Sequence, residues 1–93
     1  CQAACLPLFH ERHIAMLGSD TGNDVVPAQY VKCAMPIHQV SITAMGIWIL
    51  DNADLEEVAQ ACRDRNRWEF MISIGPLVLH NTTGSPVNPM AVF

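Results

Sequence analysis

The apolar residues of this chain fall into short runs and helical stripes that predict its secondary structure. Residues 14–17 and 47–50 are continuously apolar, which is typical of buried strands. Apolar positions at helical spacing predict a helix from residue 36 that stops at Gly46, and a second helix that begins near Asp54. With a third strand over residues 68–74, the order is strand, helix, strand, helix, strand. This order favours an α/β fold with parallel neighbouring strands.

Weaker signals extend this pattern towards both ends of the chain. Residues 6–13 predict the end of a helix, and residues 90–93 predict a last short strand. The strand over residues 47–50 is expected to be buried on both faces. Both tryptophans and Phe70 are expected in the core. Residues 19–35 are rich in turn formers and predict a long loop, a feature that is often functional or mobile.

His38 stands near the start of the predicted helix from residue 36, and Asp51 directly follows the strand that comes after this helix. The helix from His38 to Gly46 advances about 12 Å, at about 1.5 Å per residue. The strand from Gly46 to Asp51 returns about 16 Å, at about 3.3 Å per residue. Both side chains are therefore expected at one edge of the fold, where they could share a metal ion or a proton. Asp20 follows the first strand and points to the same edge, where α/β sheets bind ligands.

Each of these two residues also has a structural interpretation. His38 lies in the first turn of its helix, where the dipole favours the neutral imidazole that a metal requires, but it could simply make a structural hydrogen bond. Asp51 could bind a divalent metal or hold a histidine tautomer. It could equally cap the helix that follows, because Asp51, Asn52 and Asp54 all precede Leu55.

Size and composition predict that the chain is part of a larger body. A chain of 93 residues is marginal as an isolated domain, yet 51% of its residues are hydrophobic and its mean hydropathy is +0.21. Such a chain is expected to belong to a larger core or to an obligate oligomer. Because it begins at Cys1 in the middle of a pattern, we expect a fragment.

Charge and cysteine content narrow the possible partners. The net charge is −4 with only five basic residues, which argues against nucleic acid and against an anionic membrane surface. The apolar run over residues 40–50 is too short to cross a bilayer. The four cysteines do not have the spacing of a secreted disulfide scaffold, and a reducing cytoplasmic location is expected.

The tripeptide Asp20-Thr21-Gly22 raises one alternative function. It matches the catalytic tripeptide of aspartic proteases, which need two such carboxylates and could obtain them from a homodimer. Asn23 follows where Ser or Ala is expected, and the predicted helices conflict with an all-β protease.

Several soft motifs occur in a fixed order over nearly the whole chain, and together they resemble a known family. The motifs are Leu17-Gly18-Ser19-Asp20-Thr21, Pro36-Ile37-His38, residues 46–52, Asp54-Leu55-Glu56, Arg67-Trp68-Glu69-Phe70 and Thr83-Gly84-Ser85-Pro86-Val87. In these motifs the chain is similar to the C-terminal part of the cyclase family, the superfamily of kynurenine formamidase and isatin hydrolase.

The resemblance implies a swivelling β/β/α fold and a metal-dependent hydrolase of amide-type bonds that acts on N-formylkynurenine or a related small aromatic amide. The metal would be zinc or manganese, and the full-length protein is expected to be a homo-oligomer. The main ligand motif of the family, H-x-G-T-H-x-D-x-P-x-H, is absent from this chain. The resemblance therefore places no catalytic residue here, and residues 1–93 would form a C-terminal fragment that is inactive alone.

Residue by residue, the resemblance carries over only part of a metal site. His38 matches the later metal-site histidine of the family. Asp51 stands where the formamidases usually have Glu, which is one methylene longer. Asp20 and Thr21 match the Asp-Thr that follows the strand at the edge of the site, while Gly22-Asn23 departs from the common Pro-Ser. A non-catalytic binding or scaffold protein that keeps the fold is the alternative function.

Overall fold

The computed structural model describes all residues from 1 to 93 and divides them into two compact units, residues 1–55 and 56–93. The first unit contains a 3₁₀ turn, two α-helices, a π-helical turn and two strands. In chain order these are the turn Ala3–Cys5, helix α1 (Leu6–Glu11), strand β1 (Met16–Gly18), helix α2 (Pro36–Val40), a π-helical turn (Ser41–Met45) and strand β2 (Trp48–Leu50).

Strands β1 and β2 pair in parallel, which confirms the predicted relation of the first two strands. Leu17 stands opposite Ile49 in the register, and Gly18 stands opposite Leu50. The pairing continues past the strands, because the Ser19 N–H donates to the Leu50 carbonyl at 3.1 Å. The carboxyl ends of both strands therefore lie side by side, and the residues that follow them meet at one edge.

Helix α2 begins at Pro36 and continues without a break into the π-helical turn, so that the predicted helix over residues 36–46 is confirmed in its extent. Gly46 ends it in the left-handed conformation, with φ 68°, where a side chain would be strained. The N–H groups of Gly46 and Ile47 both donate to the Ser41 carbonyl. These two hydrogen bonds to one carbonyl end the helix and direct the chain into β2.

The core of the first unit joins both helices to β2. Phe9 of α1, Ile37 of α2 and Ile47 before β2 are buried, and Ile37 is completely inaccessible to solvent. Partly buried side chains surround them: Cys5, Leu6, Ile14, Leu17, Met45 and Ile49. Because Ile37 is anchored in this core, the position of its neighbour His38 is fixed as well.

The expectation that the strand over residues 47–50 is buried on both faces is wrong in this chain. Ile47 and Ile49 contact the core, but Trp48 is 68% exposed. Successive side chains of a strand point to opposite faces, and only one face of β2 packs against helices. Ile42, in the π-helical turn before β2, is 51% exposed.

The second unit contains helix α3 (Glu56–Arg65) and two antiparallel strands, β3 (Met71–Ser73) and β4 (Met90–Val92). Cys62 of α3 is buried. The rings of Phe70 and Phe93 lie 5.1 Å apart, and the Arg65 guanidinium sits 4.9 Å from the centre of the Phe93 ring. This contact joins the end of α3 to the residues that flank both strands.

The third predicted strand is shorter than expected and pairs differently. It covers only Met71–Ser73 and pairs antiparallel with β4, rather than in parallel with an earlier strand. Gly75 and Pro76 interrupt it, and proline cannot donate to a strand ladder. Trp68, expected in the core, is 66% exposed, whereas Phe70 is half-buried.

Mixed helices and small sheets are consistent with the predicted α/β class, while the swivelling β/β/α order stays a prediction. The helices and the parallel strand pair do not fit an all-β aspartic protease. None of the helices is both long enough and apolar enough to pass through a bilayer.

Candidate functional site

Asp51 is placed by the backbone that follows β2. The N–H of Asn52 donates to the Thr21 carbonyl at 3.2 Å, and the N–H of Ala53 donates to the Ser19 carbonyl at 2.9 Å. Asn52 adopts a left-handed φ of 53°, a conformation that asparagine tolerates better than most residues. These bonds hold Asp51 against the segment that leaves β1.

His38 is placed by Asp24, which lies in the long loop between β1 and α2. One carboxylate oxygen of Asp24, Oδ1, accepts the Ile37 N–H at 2.8 Å, and the other, Oδ2, accepts the His38 N–H at 3.1 Å. These donors have no partner inside the helix, because they belong to its first turn. Asp24 therefore caps α2 from a distant part of the chain, and its side chain is only 5% exposed.

The imidazole of His38 lies between two carboxylates. Its Nδ1 is 2.6 Å from Oδ2 of Asp24, and its Nε2 is 2.7 Å from Oδ2 of Asp51. We call Asp24, His38 and Asp51 the His38 network. Only the protonated ring can donate from both nitrogens, so in the absence of a metal this geometry describes an imidazolium that bridges two carboxylates. The network then carries one net negative charge, and two if the ring is neutral.

The pKa values of the network follow from these contacts. Burial alone lowers the pKa of His38, but hydrogen bonds and charge from Asp24 and Asp51 outweigh it and raise the pKa above its usual 6.5. Burial alone raises the pKa of both carboxyls. For Asp24, bonds from His38 and Ile37 outweigh burial, and for Asp51, bonds from Asn23 and His38 do so, which leaves both pKa values below the usual 3.8.

Asn23 is the hydrogen-bond partner of the other carboxylate oxygen of Asp51. Its backbone N–H and its side-chain Nδ2 both donate to Oδ1 of Asp51, at 2.9 and 2.7 Å. Nδ2 also lies 3.4 Å from the Leu50 carbonyl. Asn23 is 1% exposed, and its Oδ1 is buried without a hydrogen-bond partner. The two oxygens of Asp51 thus have separate partners, Asn23 on one side and His38 on the other.

The proximity of His38 and Asp51 predicted from the sequence is confirmed by the 2.7 Å contact, whereas their role as metal ligands stays a prediction. The structure does not bring Asp20 and Thr21 into the same network. Both are exposed, and no hydrogen bond joins either side chain to His38 or Asp51. Thr21 contributes only its backbone carbonyl, which accepts from Asn52. Their assignment to the edge of a substrate site stays a prediction.

Sequence reasoning missed Asn23 and Asp24. Both lie in a loop of uncertain path, and sequence spacing cannot place a residue across such a loop. One signal was available, because α2 starts with proline after Met35, which has no capping side chain, so its first donors needed an acceptor from elsewhere. The loop offers few carboxylates, and Asp24 is the one nearest to the helix in sequence.

The residues present fit part of a metal site. With Nδ1 held by Asp24, a neutral His38 would present its Nε2 lone pair towards Asp51, and a carboxylate behind the ring is the usual support of a metal-binding histidine. An imidazole nitrogen and a carboxylate oxygen also suit zinc or manganese. The chain holds no group of three His, Cys, Asp or Glu side chains with the geometry of a complete metal site.

Comparison with solved structures shows what this chain is similar to. A crystal structure described as that of a novel cyclase superposes on 96% of this chain with a TM-score of 0.80 and 31% sequence identity. The comparison supports the expected similarity of this chain to the cyclase family. The present chain corresponds to 28% of the length of that cyclase. No family model matches the sequence, and no curated protein matches it.

The similarity to this cyclase supports an α/β fold for the chain, and it does not extend to a particular substrate.

Proposed function

We propose that this chain is the C-terminal part of a cyclase-family hydrolase that cleaves amide-type C–N bonds with the help of zinc or manganese. One observation carries the proposal. In a chain that resembles a cyclase, His38 Nε2 and an oxygen of Asp51 face each other at 2.7 Å, while Asp24 holds the opposite ring nitrogen. His38 and Asp51 would be the metal ligands that this chain contributes.

The residues of the chain prepare the site for a divalent cation. Asp24 keeps the proton of the neutral ring on Nδ1, which leaves the lone pair of Nε2 available to bind a metal. Two carboxylates around a neutral ring give two negative charges, which favour a divalent cation over a monovalent one. A bound metal would lower the pKa of a water molecule and polarise a substrate carbonyl.

The remaining parts of the catalytic site would lie outside this chain. On this proposal the other metal ligands and the proton-transferring group belong to an N-terminal half that carries the H-x-G-T-H-x-D-x-P-x-H motif. The substrate would be a small aromatic amide of the N-formylkynurenine type, which makes the activity arylformamidase-like. Exposed tryptophans at positions 48 and 68 support a larger body or a homo-oligomer that covers them.

The first test is to read the sequence upstream of Cys1 for the H-x-G-T-H-x-D motif. The second is to measure metal content and hydrolysis of N-formylkynurenine and other aryl formamides by the full-length protein. We expect His38→Gln to lower both, and the matched control His80→Gln, at an exposed position, to leave both unchanged. An upstream reading frame without the motif, or full metal content and activity in His38→Gln, would contradict the proposal.

A second function, a non-catalytic binding or scaffold protein, is favoured by one observation. Both ring nitrogens of His38 already have carboxylate partners, so the network is internally satisfied without a metal. A full-length protein that is well folded, binds no zinc or manganese and hydrolyses no aryl formamide would support this alternative.

A further inference from the structure

Asn23 makes two hydrogen bonds to a single oxygen of Asp51. The backbone N–H and Nδ2 approach Oδ1 at 2.9 and 2.7 Å, and neither of them contacts Oδ2. An aspartate side chain has two rotatable bonds, and two donors on one oxygen restrict both of them. Oδ2 is then left to face Nε2 of His38, at 2.7 Å.

Asn23 is more deeply buried than Asp51, so the side chain of Asn23 is the less mobile of the two. The side chain of Asp51 is 29% exposed and could rotate into solvent, whereas Asn23 is 1% exposed. Asn23 also leaves its own Oδ1 buried without a partner, which is destabilising. An apolar side chain would fill the same space without this penalty. The amide is therefore explained by what its Nδ2 does, which is to hold Asp51.

Asn23 and Asp24 are consecutive, and each orients a different member of the facing pair. Asn23 holds Asp51, and Asp24 holds His38 through Nδ1 and the backbone N–H. One dipeptide of the loop thus sets the direction of both candidate ligands, although neither of its side chains lies between them.

We propose that Asn23 is a positioning residue, which directs Oδ2 of Asp51 towards Nε2 of His38 and thereby towards a divalent cation held there. The part that concerns the cation rests on the proposed function; the orientation of Asp51 does not.

The test uses Asn23→Ala and Asn23→Asp in the full-length protein, since both substitutions remove Nδ2 and the second preserves the size of the side chain. Ser41→Ala is the matched control, because Ser41 is also completely buried and its Oγ has no hydrogen-bond partner to lose. Circular dichroism first establishes which variants fold.

The first readout is the ¹⁵N–¹H spectrum of labelled histidine in the metal-free protein at pH 6. We expect both ring N–H signals of His38 in the wild type and in Ser41→Ala. In the Asn23 variants the Nε2–H signal should broaden or vanish, while the Nδ1–H signal, held by Asp24, remains. The retained signal separates a loss of positioning from general unfolding.

The second readout is cobalt(II) affinity measured by titration of its absorption bands. We expect a loss of about 10–100-fold in the Asn23 variants, the usual effect of removing a group that orients a ligand. In an Asp51→Ala background, Asn23→Ala should cause no further loss, because its effect passes through Asp51.

An unchanged Nε2–H signal in folded Asn23 variants would overturn the inference. A wild-type protein that binds no cobalt would contradict the proposed function instead, and the histidine spectrum would still decide the role of Asn23.

Discussion

The strongest prediction for stability concerns Asp24, which satisfies three donors at once. Asp24→Ala removes the acceptor of the Ile37 N–H, of the His38 N–H and of the His38 ring at Nδ1. A lost helix cap costs about 1 kcal/mol. A lost hydrogen bond to a charged group costs about 1.5–3 kcal/mol, and the lower value applies because the His38 side chain is 21% exposed and water can partly replace the carboxylate. The sum is about 2.5 kcal/mol.

The assay is urea unfolding of the metal-free full-length protein at pH 5.5, followed by circular dichroism. At this pH both carboxyls are ionised and His38 is protonated, since the pKa values lie below 3.8 and above 6.5. Asp20→Ala is the matched control. Asp20 lies in the same loop region but is exposed and outside the network, and its loss should change the free energy of unfolding by less than about 0.5 kcal/mol.

The comparison of the two aspartates decides the outcome. Equal losses for Asp24→Ala and Asp20→Ala would show that the network contributes no more than an ordinary surface charge, and the reasoning would be refuted. If Asp24→Ala does not fold, Asp24→Asn replaces it. The amide keeps one acceptor oxygen but turns an NH₂ group towards a donor, so we expect an intermediate loss of about 1–2 kcal/mol.

Three further outcomes are expected. The raised pKa of His38 gives stabilisation that is fully present below pH 6.5 and is lost as the pH rises through the folded-state pKa. The lowered pKa values of Asp24 and Asp51 give stabilisation that is lost as the pH falls below 3.8. The urea midpoint of the metal-free protein should therefore be highest between these limits, and a midpoint that does not change with pH would contradict this. Removal of metal from the full-length protein with a chelator should abolish hydrolysis, and zinc or manganese, but not magnesium, should restore it; activity that survives complete removal would exclude the proposed metal role. Residues 1–93 expressed alone should be poorly soluble, because Trp48, Trp68 and Met71 are more than half exposed; a monomeric, cooperatively melting fragment would contradict this.

The sequence was sufficient for features that depend on local periodicity. The helix from Pro36 to Gly46 and the parallel strands on either side of it follow from helical spacing, a glycine stop and continuous apolar runs. Because helix and strand have known rises per residue, the approach of His38 and Asp51 can be calculated from the sequence alone.

The features that could not be predicted depend on non-local contacts. Asn23 and Asp24 reach the site through a loop that has no periodic pattern, so no spacing rule indicated that they would contact Asp51 and His38. Trp48 and Trp68 were expected to be buried because tryptophan is apolar, but burial depends on what covers a face, and sequence periodicity does not show that. The antiparallel partner of β3 arrives from residues 90–92, beyond a second long loop.

The His38 network also indicates how a proton and a metal would compete. When the His38 ring is protonated, its Nε2–H donates to Oδ2 of Asp51, and these are the two atoms that would bind the cation. The contacts that raise the pKa of His38 therefore oppose metal binding at low pH, since the proton must leave before Nε2 can act as a ligand. Asp24 bonds Nδ1 in both states, so its bond does not have to be broken when the proton is exchanged for the metal. Metal affinity should consequently increase with pH through the range in which the stability of the metal-free protein decreases. If metal affinity and stability change in opposite directions with pH in the same protein, this would indicate that protonation and metal binding share Nε2 of His38 and Oδ2 of Asp51.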